Sequence, residues 1–168
     1  AKNNLDNAQK AYDKAKEHYD DLRKNATYAS AKASADSAYD ALKLATEDYN
    51  NALEKVGLVP IYISGVYVGD VYGTEYSKGS IMRYEELVEE AREYMYSDPS
   101  NPRHQKYYDE CYQKLIDALP NAETKAARNQ CRAAQTAYDN AKRNLDEIEK
   151  NIKDAFENAE TNLETAKL

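Results

Sequence analysis

Tryptophan is absent from this chain of 168 residues, phenylalanine occurs once, and methionine, cysteine and histidine occur twice each. With so few large apolar side chains, a thick core is excluded in favour of thin helix-to-helix seams built from alanine and tyrosine, which predicts an elongated molecule. Two distant histidines, His18 and His104, and two cysteines without Cys-x-x-Cys spacing supply no metal-ligand set. Neither histidine neighbours a serine or cysteine in a nucleophile pattern such as Gly-x-Ser-x-Gly, so the reading is of a protein that is not an enzyme and carries no cofactor. No apolar run approaches the roughly 20 residues that span a bilayer, and the first residues carry no basic-then-apolar signal segment. They already sit inside a helical pattern, which raises the expectation that the chain is a piece of something longer.

The five glycines are confined to one stretch. All of them, with three of the four prolines and ten of the sixteen tyrosines, lie between Gly57 and Leu119. That stretch also holds six basic and eleven acidic residues, hence −5 of the net charge of −7. An acidic centre repels phosphate backbones and no Lys/Arg stripe interrupts the flanks, so nucleic acid and anionic membrane surfaces are disfavoured as partners.

The flanks are glycine-free and periodic. Leu5, Ala8, Tyr12, Ala15, Tyr19 and Leu22 recur in steps of three and four, the seam of a helix that packs on another helix. A second phase runs Tyr28, Ala31, Ala35, Ala38, Leu42, Ala45, Tyr49, Ala52, Val56. The join at Arg23–Thr27 breaks the heptad without glycine or proline, which predicts a change of supercoil or a bend within one long helix over 1–56, with a three-helix bundle as the alternative. Beyond Pro120, placed for a first helical turn, the pattern returns at Ala127, Ala134, Ala137, Ala141, Leu145, Ile148, Ile152, Ala155, Ala159, Leu163 and Ala166. At about 1.5 Å per residue, arms of this length would extend about 70 to 80 Å, and their match argues for antiparallel pairing.

Between the arms, Val59–Ser64 and Val66–Tyr72 alternate β-branched and aromatic residues, with Gly65, Gly69 and Gly73 as turns. The fold class that follows is mainly α: a long antiparallel helical hairpin, coiled-coil-like, with an inserted small α+β head over 57–119. The head is expected to hold a β-hairpin at about 59–73 and helices at about 81–96 and 102–118, between the first arm (1–56) and the second (120–168). Glu85, Glu86, Glu89, Glu90 and Glu93 match no EF-hand loop and read as a charged solvent face. Asn25-Ala-Thr27 fits a glycosylation acceptor, a pattern too short to carry weight.

Two further groups stand out. Cys111 lies nine residues before Pro120 and Cys131 eleven after it, offsets that would bring them to similar heights in a tight helical turn. The alternatives are a disulfide, worth about 3 kcal/mol on the chain-entropy model and implying an oxidising compartment, or two buried thiols. The tyrosines have a binding rationale, because Tyr gives a large amphipathic contact at low conformational cost. Tyr62, Tyr67, Tyr72 and Tyr76 along the expected hairpin, with Tyr94, Tyr96, Tyr107 and Tyr108 around the Pro-rich turn, form the candidate contact set. The competing reading is that they cap a small core.

A short repeat recurs as Ala8-Gln-Lys-Ala-Tyr-Asp-Lys-Ala-Lys16, Ala35-Asp-Ser-Ala-Tyr-Asp-Ala-Leu-Lys43 and Ala134-Gln-Thr-Ala-Tyr-Asp-Asn-Ala-Lys142. Small Ala allows close helix approach while Tyr fills the seam edge. The pattern resembles the alanine-rich helical stalks of Gram-positive cell-surface adhesins and immunoglobulin-binding proteins, and more weakly the receptor-binding helical hairpin of colicin-type bacteriocins. The resemblance covers the arms alone. It implies an extracellular or cell-surface bacterial module that binds a host protein, such as an immunoglobulin or another glycoprotein. The alternatives are a bacteriocin receptor-binding hairpin and a purely structural spacer.

Overall fold

The computed structural model describes residues 1–58 and 81–168. Five α-helices account for its regular structure: α1 (Lys2–Asp20), α2 (Ala26–Lys55), α3 (Met82–Ser97), α4 (Pro102–Ala118) and α5 (Ala122–Lys167), with a 3-10 turn at Leu22–Lys24. The helices fall where alanine, leucine and charged residues keep helical spacing and glycine is absent, so propensity and pattern agree.

The expected α+β head is corrected by this inventory. Among the described residues there is no strand, and the central segment contributes two helices to an all-helical core. The apolar positions of α3 and α4 are spent on α2 and α5, so a mixed minidomain with its own core is not built. The stretch at about 59–73 assigned to a β-hairpin lies outside the described residues.

The single first helix is also corrected. Asp21 and Asn25 both leave the helical region of backbone space, at φ −137°, ψ 96° and φ −83°, ψ 116°. Each is a short polar side chain that offers the backbone a local partner. Asp21 Oδ1 accepts from the Arg23 N–H at 3.2 Å, and Asn25 Oδ1 accepts from the Tyr28 N–H at 3.0 Å. Asn25 is thus the N-cap from which α2 restarts, which explains a break without glycine or proline. At the other arm, Asn121 caps α5 by accepting from the Thr124 N–H at 2.9 Å, and Pro120 stands just outside the helix.

The chain divides into two compact units. The terminal unit, Ala1–Ala38 with Asn140–Leu168, is a set of thin seams. Tyr28, Ala31 and Ala35 of α2 pack with Leu145 and Ile152 of α5, and the Tyr19 ring stacks on Phe156 at 4.6 Å between centroids. No residue of α1 is buried, so that helix keeps only one side of its seam from water.

The central unit, Tyr39–Asp139, has the thicker core. There Tyr49 and Leu53 of α2, Val88 and Ala91 of α3, Tyr108, Tyr112 and Leu115 of α4, and Cys131 of α5 form one buried cluster. Within this unit α2 and α5 run antiparallel: Tyr39 meets Tyr138, the Ala45 carbonyl meets Cys131, and Lys55 meets Glu123.

Replacing Asn25 with Ala removes the cap of α2 and should cost about 1 kcal/mol. Urea unfolding followed by far-UV circular dichroism checks this, with Asn25→Ser expected to restore most of the loss.

Candidate functional site

The described part of the expected contact set lies on α3 and α4, which pack directly on each other in the central unit. Their connection is short because Asn101 caps α4, accepting from the Arg103 N–H at 3.0 Å, and Pro102 occupies the first helical turn, where its missing N–H costs nothing. This geometry fixes Tyr94, near the end of α3, beside residues in the first turns of α4.

Tyr94 is 49% exposed and Tyr107 39% exposed. The Tyr94 hydroxyl donates to Glu90 Oε1 at 3.2 Å, and its ring lies 6.1 Å from that of His104. Tyr107 sits against the Cys111 sulfur, whose hydrogen bond raises the tyrosine's pKa, with Glu90 and Tyr94 near enough to add to the effect. Each of two packed helices therefore presents one large exposed aromatic ring, and that of Tyr94 has an acidic and an imidazole neighbour.

The other expected contact residues are placed differently. Tyr108 is 3% exposed and belongs to the core, stacked on Tyr112 with the Arg132 guanidinium over its ring at 4.7 Å. Adjacent helical residues point about 100° apart, so the neighbours Tyr107 and Tyr108 cannot serve the same surface. Tyr96 is half-buried. Tyr62, Tyr67, Tyr72 and Tyr76 lie outside the described residues.

The expected disulfide does not form. Cys111 and Cys131 are both buried free thiols, held by different neighbours. Cys131 donates to the Ala45 carbonyl of α2 at 3.0 Å, whereas Cys111 lies beside Tyr107 on its own helix. Burial pushes the Cys131 thiol up to about 11, an effect that Arg128 opposes and Glu85 reinforces.

The central unit also holds a polar core that the charge pattern concealed. Glu85 is 6% exposed and Arg128 3% exposed, and the two form a two-pronged ion pair, with Arg128 Nε 2.8 Å from Glu85 Oε1 and Nη2 3.2 Å from Oε2. The Tyr49 hydroxyl donates to the same Glu85 oxygen at 3.1 Å. The guanidinium also lies over the rings of Tyr49 and Tyr112, at 5.8 and 5.3 Å. Burial opposes the charge on Arg128, yet Glu85 holds its pKa above the ordinary arginine value.

A second cluster links α3 to α5. Arg92 donates through Nη1 to both Asp139 oxygens at 3.0 and 3.1 Å, and reaches Glu89 through Nη2 at 2.7 Å. Gln135 joins it, donating to Asp139 at 2.8 Å. The reading of the α3 carboxylates as one solvent face is thereby corrected. Glu85 is inside and Glu89 is tied to Arg92, because α3 turns this side toward arginines on α5 and on itself. One signal was available: Arg128, Cys131 and Gln135 recur in steps of three and four, a helical face one position beyond the Ala127 and Ala134 seam, and a buried arginine there requires a carboxylate opposite.

Among the described residues no group of three or more His, Cys, Asp or Glu could hold a metal ion, and no helix is long and apolar enough to cross a membrane. Comparison with family models, curated proteins and solved structures gave no match.

Arg128→Met leaves Glu85 buried without its counter-charge and should cost about 3 to 5 kcal/mol by urea unfolding. Glu85→Leu combined with Arg128→Met should recover most of that loss; equal losses in the single and double variants would show that the pair does not anchor the core.

Stability should also fall in alkali. Cys131 titrates near 11 when folded against an ordinary 9.0, so its contribution is complete below about pH 9 and is lost as pH rises toward 11. Tyr112, pushed up to about 12 by burial against an ordinary 10.0, extends the loss to higher pH. Urea midpoints between pH 8 and 11 should decline less steeply in Cys131→Ala than in the wild type.

Proposed function

We propose that the chain is a non-enzymatic protein-binding module of a bacterial cell-surface or secreted protein, and that the α3–α4 patch around Tyr94 and Tyr107 is part of its contact surface. The observation that carries the reading is the exposure of these two rings, one on each of two helices that pack on each other, in a unit whose core is tied by buried ion pairs. Tyrosine is favoured at recognition surfaces because it adds apolar area and a hydroxyl while immobilising few rotatable bonds. A support that does not rearrange keeps the ordering cost of binding low. The partner class, a host extracellular protein such as an immunoglobulin, rests on the resemblance of the arms to surface stalks. The spacer reading leaves the two exposed rings without a role.

The test is binding of the immobilised chain to purified immunoglobulin G and to fractionated serum glycoproteins, read by surface plasmon resonance. Tyr94→Ala and Tyr107→Ala should each weaken binding by at least about tenfold with helicity unchanged, as for contact residues near the centre of an interface. Tyr39→Ala, which removes an exposed ring on α2, should leave affinity unaltered. Wild-type affinity in the Tyr94/Tyr107 double variant would remove the patch from the contact surface.

A further inference from the structure

We propose a second site, in the terminal unit: a recess at the helix break that takes a small uncharged molecule joining a compact apolar group to an amide. It stands on observations separate from the tyrosine patch. The recess has a volume of about 280 Å³, close to the lower end of the range for small-molecule sites. It exists because the chain leaves helical geometry between Asp21 and Asn25, and because the residues facing the gap, Ala15 and Ala155, are too small to fill it.

Its chemistry is divided. Ile148 and Ile152 of α5 provide an apolar floor, and Ile152 is buried. His18 and Asn25 form a wall whose geometry is already set. The Asn25 amide nitrogen is 3.4 Å from His18 Nδ1, while Asn25 Oδ1 is committed to the cap of α2. At the mouth, the side chains of Thr27 and Asn151 make no hydrogen bond among the described residues, which leaves a hydroxyl and a complete amide for a ligand.

The absence of full charge selects the ligand class. In a chain with 32% charged residues, no Asp, Glu, Lys or Arg lines this recess. The adjoining hollow, which shares Thr27 and Ile148 and continues along α2 past Ser30 and Ser34, has none either. A carboxylate, phosphate or ammonium placed here would lose hydration and gain no counter-charge. A neutral amide would meet Asn151 and Thr27 with complementary donors and acceptors while its apolar group covered the isoleucines.

The probe is N-acetyl-leucinamide, with N-acetyl-leucine as its charged counterpart. Both are titrated into the full chain at neutral pH, and the Ile methyl and Asn side-chain amide signals are followed by NMR. Saturable shifts at Ile148, Ile152, Asn25 and Asn151 are expected, with the charged probe weaker by at least about fivefold because its carboxylate finds no cation. Ala155→Leu fills the recess from the solvent side of α5 and should weaken binding at least about tenfold while leaving the helical spectrum intact. Asn151→Ala, which keeps the recess open but removes the amide, should also weaken it. Absence of saturation at about 20 mM would overturn the proposal, since even fragments of this size bind tighter than that in a formed site. Equal affinity for the charged probe, or binding indifferent to Ala155→Leu, would overturn it equally.

Discussion

The buried contact between Arg128 and Glu85 is the constraint on which the central unit depends. A guanidinium at 3% exposure survives only if its charge is answered locally, and here the answer comes from a carboxylate on α3 and from the rings of Tyr49 and Tyr112 on α2 and α4. One side chain of α5 thus specifies the positions of three other helices. Apolar seams of alanine alone tolerate sliding, whereas a two-pronged ion pair has a single register. The core of the central unit can be small because its polar centre is directional.

The same residue type performs two opposed tasks on α4. Tyr108 and Tyr112 are stacked inside, and both have pKa values raised first by burial and lowered in part by nearby arginines. Tyr107, one position away, faces water. The central segment therefore does not divide into a core and a recognition loop; a single helix contributes to both through its two faces. The outward rings inherit their placement from the inward ones.

The arms and the helices between them were legible because periodicity reports which face of a helix is covered. On α2, Tyr28, Ala31, Ala35, Leu42, Ala45, Tyr49 and Ala52 are buried as their spacing implies, whereas Val56 is exposed. On α5 the expected seam is buried at Leu145, Ile152, Ala159 and Leu163, but Ala137 and Ala155 are exposed and the buried face of the first turns is Thr124, Arg128, Cys131 and Gln135. The break at Asp21–Asn25 was visible as a lapse in that spacing, but its nature was not, since a capping asparagine does its work through one side-chain oxygen. The polar core was hidden by a composition argument: Glu85 looks like its exposed neighbour Glu86 until Arg128 is placed opposite. Among the eight tyrosines singled out, Tyr94 and Tyr107 face solvent and Tyr108 does not, a distinction set by helix phase relative to α3 and α5. The mixed α+β head departs furthest from the structure, because the described part of that segment packs as helices whose apolar faces are buried on α2 and α5.

Asn25 lets α2 begin afresh instead of continuing from α1. In an uninterrupted coiled coil, adding or deleting one residue rotates every later side chain away from its groove. Here such a change confined to 21–25 would be absorbed where the backbone is already irregular, so the stretch before Asn25 can drift in length over generations while the downstream packing keeps its indexing.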